Sequence, residues 1–150
     1  MEEAWAESQP AFAAQVLGPH FEQLARTWTE RFASIETLGG RASHVGFAQV
    51  NDAEARSRVD LDVVAVGGNL HADRPRILAI GEAKGGSAAQ TVDDLRKLER
   101  GRTILGEQAN TAKTRLLLFS RSGFEPALHE AARRRADLEL IDLERLYGGS

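Results

Sequence analysis

The sequence predicts an α/β domain built on a mixed β-sheet flanked by α-helices. Three observations lead there. A meander of β-branched, strand-like segments fills the first half, between residues 44 and 84. Strands alternate with helical segments in the second half, which calls for parallel crossovers. A chain of 150 residues with 42% apolar and 27% charged residues is ordinary for one globular domain and long enough to close a hydrophobic core.

The elements follow in order. Ala11 to Gly18 reads as a short helical lead-in that Gly18-Pro19 breaks, Pro19 suiting the first turn of a new helix. From there Phe21, Leu24, Ala25, Trp28 and Phe32 recur at helical spacing to about Ser34, and Gly39-Gly40 closes the region. His44 to Val50 alternates loosely, Arg58 to Val66 contains VDLDVVAV, and Arg76 to Lys84 reads RILAIGEAK. Turn-rich connections at Asn51 to Arg56 and Gly67 to Pro75 predict adjacent antiparallel strands. After Gly85-Gly86-Ser87, the spacing of Val92, Leu95, Leu98 and Leu105 marks a helix closing at Gly106. Arg115 to Phe119 is a compact apolar strand expected to lie parallel to its neighbour. Phe124 to Arg135 is a helix, Leu138 to Ile141 a last strand, and Leu143 to Tyr147 a last helical turn.

Composition narrows the function. The absence of cysteine excludes disulfides, thiolate zinc sites and a cysteine nucleophile, and fits a reducing compartment. No apolar run approaches the ~20 residues that span a bilayer. The first residues, MEEAW, are acidic where a signal peptide is basic, so the chain is read as cytoplasmic with no membrane partner. A net charge of −3 counts mildly against a stand-alone nucleic-acid binder. Its distribution matters more: Arg96, Lys97, Arg100 and Arg102 form one basic cluster, and Arg133, Arg134 and Arg135 another, each also readable as a solvated helix face. No GxxxxGK[ST] or G-x-S-x-G occurs, and the His residues at 20, 44, 71 and 129 lack zinc-ligand spacing.

Strand alternation singles out one group. Asp60, Asp62, Val64 and Val66 are expected on one face of their strand, and Leu78, Ile80, Glu82 and Lys84 on one face of the next. Pairing of the strands would then bring Asp62 near Glu82 and Lys84. Two such carboxylates repel unless a divalent cation lies between them, and Mg²⁺ takes hard oxygen ligands of this kind. Lys84 would orient or deprotonate an attacking water, or stabilise charge on phosphorus. A surface salt bridge also explains an acid two residues before a Lys. The functional reading is favoured because Glu82-Ala83-Lys84 ends an apolar strand, because Asp62 stands twenty residues earlier in another, and because Lys84 is one of only three Lys beside sixteen Arg.

These residues resemble the PD-(D/E)XK nuclease superfamily, and the element order resembles its restriction-endonuclease-like core. The stretches GPHFEQLARTWTERF, VDLDVVAV, ILAIGEAK and LLLFSRSGF are similar to the C-terminal nuclease-like domain of archaeal and bacterial AAA-type ATPases. The resemblance covers the chain from about Gly18 onward. It implies Asp62 as central metal ligand, Glu82 as second ligand, a carbonyl ligand from Ala83, Lys84 as catalytic lysine, and Glu22 as support for the ion through a water or as a further ligand. Mg²⁺ is the implied cofactor, with Mn²⁺ as substitute. Leu61 replaces the motif's Pro before Asp62, and Asp60 adds a carboxylate. A Glu22–Arg26 helix pair is the plainer account of Glu22. Arg96, Lys97, Arg100 and Arg121 are the candidate phosphate contacts.

Two functions are therefore expected. The first is a Mg²⁺-dependent DNA endonuclease domain, RNA remaining open as substrate. The second is a non-catalytic nuclease-fold module that binds nucleic acid or assembles with an AAA-type ATPase. A homodimer is a further expected partner arrangement, and the chain is expected to be one domain over residues 1–150, whole or excised from a larger ATPase.

Overall fold

A computed structural model describes the backbone of residues 10–148 and the side chains of residues 20–148, so the acidic first residues lie outside the described part. The first element, α1, is a single helix over Pro10–Arg31. The predicted break at Gly18-Pro19 is absent. A Pro inside a helix forfeits one N–H bond and crowds the preceding turn, yet the helix runs through it. Downstream, Phe21, Ala25 and Trp28, spaced at i, i+4 and i+7, bury one stripe of the helix in the core. A one-turn helix, α2 (Ile35–Leu38), follows. It is capped by the Ser34 hydroxyl, which accepts from the Thr37 N–H, and ended by Gly39 at φ 77°, a left-handed conformation that glycine adopts without strain.

The remaining order is β1 (His44–Asp52), β2 (Ser57–Gly67), β3 (Arg76–Lys84), α3 (Val92–Leu105), β4 (Arg115–Ser120), α4 (Pro126–Arg134), β5 (Leu138–Ile141) and α5 (Leu143–Gly148). They form one five-stranded sheet in the order β1-β2-β3-β4-β5. Short connections make β1, β2 and β3 antiparallel, whereas β4 and β5 are reached through α3 and α4 and pair in parallel. A mixed sheet flanked by helices is thus the observed architecture.

The core divides across the sheet. Phe21, Ala25 and Trp28 of α1 pack with Val63, Ala65, Leu117 and Phe119. Leu95 and Leu98 of α3 and Leu128 of α4 pack with Leu61, Ile80, Leu116 and Leu118. This two-sided burial is why β3 and β4 read as nearly continuous apolar runs. Trp28 meets Phe119 edge to face at 5.7 Å. Among the described residues no helix is long and apolar enough to cross a membrane.

Two β-bulges alter the expected faces. Gly46 pairs with Val64 and Ala48 with Leu61, so Asp62 and Val63 together oppose Phe47 alone. Ala65 pairs with Ala79 but Val66 with Ile77, leaving Leu78 as the extra residue of β3. An extra residue reverses the side-chain alternation beyond it. Leu61 and Val63 accordingly pack on opposite sides of the sheet, as do Leu78 and Ile80. The single shared faces predicted for Asp60 to Val66 and for Leu78 to Lys84 are therefore corrected. Asp62 sits in the first bulge.

Gly81 sits in β3 just before Glu82. A Cβ there would stand 2.9 Å from the Leu117 carbonyl oxygen and 3.0 Å from the Phe119 ring. Gly81→Ala must push two central strands apart and is expected to lower stability by roughly 1–3 kcal/mol, read by chemical denaturation. An unchanged midpoint would show that β3 and β4 have room to separate.

Candidate active site

The bulge places the Asp62 carboxylate against the next strand. The last paired residues of the β2–β3 ladder at this end are Val63 and Gly81. Beyond them Asp62 Oδ2 accepts the Ala83 N–H at 2.9 Å, so a side chain continues the ladder in place of backbone. Arg26 of α1 donates from Nη1 to the Asp62 carbonyl at 2.9 Å, tying α1 to the bulge. Its other described bond goes to Gln23, not to Glu22 as the helix-pair reading expects. Glu22 lines a cleft of about 290 Å³ with Arg26, Phe47, Asp60 and Asp62.

The other half of the site lies at the ends of β3 and β4. Lys84 Nζ donates to Asp94 Oδ2 at 2.6 Å and to the Ala89 carbonyl at 3.4 Å. Asp94 is buried in the first turn of α3, where its carboxylate also accepts from the Thr91 N–H and hydroxyl, closing a capping box. Gln90, fully buried, donates from Nε2 to the carbonyls of Glu82 at 3.1 Å and Phe119 at 2.9 Å. It thereby fixes the strand ends that carry Glu82 and Lys84. The Arg121 N–H donates to the Lys84 carbonyl at 3.0 Å.

The electrostatics are those of a site built to be charged at a cost. Burial pushes the Asp62 carboxyl up to about 6; the Ala83 N–H opposes this, and Glu22 and Asp60 add repulsion. Burial pushes Glu82 up to about 7, with further repulsion from Asp94 and Asp62, opposed by Lys84 and Lys97. Burial would also raise Asp94, but the hydrogen bonds from Lys84 and Thr91 outweigh it and hold that carboxyl below its usual range. Glu82 Oε2 is buried without a hydrogen-bond partner. A buried carboxylate oxygen left unmatched next to a second raised carboxylate is what a hard divalent cation would complete. Asp62 and Glu82 thus fit Mg²⁺ as a two-carboxylate set. Among the described residues no three carboxylate or imidazole groups converge to hold an ion unaided, so Glu22 is not placed as a third side-chain ligand.

The basic candidates separate. Lys97 is near enough to favour ionised Glu82, and Arg121, whose Nε is buried and unpartnered, lies beside Lys84. Arg96 pairs with Asp93 on its own helix, and Arg100 is bound to Asp52 at the end of β1. The second cluster is engaged in ion pairs: Arg135, joined by Arg102 of the first cluster, clamps Asp137 and holds its carboxyl well below the carboxylate range, while Arg133 and Arg134 pair with Glu130. A larger cleft of about 840 Å³, lined among others by Arg76, Lys113, Arg115 and Asp137, contains none of the acidic candidates.

Sequence reasoning missed Asp94, Gln90 and Phe47. Thr91-x-x-Asp94 has capping-box spacing, which could have pointed to Asp94. Nothing local marks Gln90 or Phe47, whose placement depends on tertiary pairing. Comparisons with family models, with curated protein sequences and with solved structures found no match to this chain.

Proposed function

We propose that this chain is a Mg²⁺-dependent nuclease domain with a restriction-endonuclease-like core, hydrolysing phosphodiester bonds in DNA, with Mn²⁺ able to replace Mg²⁺. The observation that carries the reading is the buried, unpartnered Glu82 Oε2 at the strand end where Asp62 bonds to Ala83. Asp62 and Glu82 would hold the ion, with the Ala83 carbonyl as a further oxygen. When bound, the ion would supply Lewis acidity and lower the pKa of a water. Lys84, held by Asp94 at 2.6 Å, suits charge stabilisation and water orientation better than proton abstraction, because its ammonium is already committed to a carboxylate. Lys97 and Arg121 would contact flanking phosphates.

Two observations favour a second reading. The same Lys84–Asp94 pair partly cancels the charge of Lys84, and the chain's net charge is −3. A nuclease-fold module that assembles with an AAA-type ATPase, or binds nucleic acid without cutting it, would tolerate both. Incubation of the protein with single-stranded, duplex and branched DNA and with RNA, in Mg²⁺ and in Mn²⁺, separates the readings. Cleavage that Glu82→Gln removes supports the nuclease. A wild-type protein that neither binds a divalent ion by calorimetry nor cuts any of these strands leaves the assembly module.

A further inference from the structure

Phe47 is the residue of β1 opposite the Asp62–Val63 bulge, and its side chain is 72% exposed. Single exposed aromatics are common on protein surfaces and need no explanation by themselves. Three features set this one apart. The bulge that aims Asp62 at Ala83 is the same irregularity that Phe47 faces, so ring and carboxylate are positioned by one feature of the backbone. The Arg26 guanidinium lies 5.1 Å from the ring centroid, and the same Arg26 bonds the Asp62 carbonyl. Phe47, Arg26, Glu22 and Asp62 line one cleft.

We infer that Phe47, backed by Arg26, is a stacking platform for an unpaired nucleobase next to the phosphate engaged at Asp62, which makes single-stranded or locally unpaired nucleic acid the substrate class. An aromatic ring with a guanidinium over one side offers its other side to a base, and every base has a π-face, so the contact selects for unpairing and not for sequence. A base stacked within a duplex has no free face to offer. The cleft's charge sets a condition on binding: Glu22, Asp60 and Asp62 repel a phosphate backbone, Arg26 in the cleft and Arg58 beside Asp60 offset them only in part, and binding is therefore expected to depend on a divalent ion. The inference rests on the nuclease reading for why a strand comes to this cleft, and the experiment separates the two.

Binding of short single-stranded DNA is measured by fluorescence anisotropy in Ca²⁺, for wild type, Phe47→Ala and Phe47→Trp. Each is paired with the intact strand and with strands carrying one abasic site at successive positions. Phe47→Ala is expected to weaken the intact strand about tenfold, within the range that base–aromatic stacking provides. One abasic position should weaken wild type by a similar factor and leave the variant no weaker than before. Phe47→Trp should retain tight binding. Phe47→Ala without loss, losses that simply add, a duplex bound as tightly as the single strand, or no binding by wild type would each overturn the platform. Cleavage in Mg²⁺ is read on the same samples. Base coupling without cleavage sinks the nuclease and keeps the platform; cleavage without coupling does the reverse.

Discussion

Lys84→Ala is expected to reduce cleavage by roughly 10²–10³-fold, the range seen when one charge-stabilising donor is removed from a transition state, while leaving divalent-ion binding intact or tighter. The separation follows from geometry. On the proposed reading Asp62 and Glu82 would present oxygens to the ion, whereas Lys84 Nζ is bonded to Asp94 and Ala89 and would contribute only positive charge, which disfavours a nearby cation. Asp62→Ala should therefore abolish both ion binding and cleavage. It also removes the acceptor for the Ala83 N–H, so Asp62→Asn, whose amide oxygen can still accept that bond, is the cleaner companion. Lys84→Arg keeps the charge, but a larger planar guanidinium does not reproduce the compact ammonium that Asp94 and the Ala89 carbonyl hold, and it should not restore full activity. Asp94→Asn should fall between wild type and Lys84→Ala, losing about 10- to 100-fold as supporting residues do, since Lys84 then loses its orienting partner. Mn²⁺ calorimetry beside a cleavage assay on these variants checks all of it. Lys84→Ala that cuts at the wild-type rate would remove the lysine from the mechanism.

What was legible in the sequence was whatever depends on local pattern. RILAIGEAK and RLLLFS are apolar almost throughout because β3 and β4 are covered on both faces, and their strands fall where that pattern puts them. Helix α3 is framed by Thr91 and Gly106, and the spacing of Leu95 and Leu98 marks its buried side. What was not legible depends on register. VDLDVVAV looks like an uninterrupted alternation, and nothing in it tells that Asp62 and Val63 jointly face Phe47; that is decided by pairing with β1. The error had a limited consequence. Asp62 still reaches β3, but through the Ala83 N–H and out of a bulge, not along a shared face. The helix that continues through Pro19 shows the opposite imbalance, a strong local signal for a break overridden by the helix as a whole. The partners of Arg96 and Arg100 were only partly legible: Asp93 lies one turn away on the same helix, whereas Asp52 stands at the end of β1 and is brought to Arg100 by tertiary packing.

In metal-free buffer the protein is expected to lose stability as pH rises from about 4.5 to 8, and a divalent ion should return it. Asp62 and Glu82 have folded-state carboxyls at about 6 and about 7, above the ordinary unfolded values of about 3.9 and 4.3. A carboxyl raised on folding binds its proton more tightly in the folded state. Its contribution is present in full below the unfolded value and is lost as pH climbs through the folded one. Other carboxylates work in a different window. Asp94 and Asp137 are held low by Lys84 and by Arg135, so their stabilisation is present above about pH 4 and lost only on further acidification. Between pH 4.5 and 8 the two raised carboxyls therefore dominate. Discounted for their partial exposure, they amount to on the order of 2–3 kcal/mol, or about 5–10 °C in melting temperature for a domain of this size. Glu82→Gln removes the charge that burial opposes, and at pH 8 without metal it should melt higher than wild type and show a flatter pH dependence. Mn²⁺ should raise the wild-type melting temperature, increasingly so above pH 7 where the ligands are ionised, and should do little for Glu82→Gln. A Glu82→Gln protein that melts below wild type at pH 8 would mean that Glu82 is held by stabilising contacts and is not a carboxylate kept for an ion.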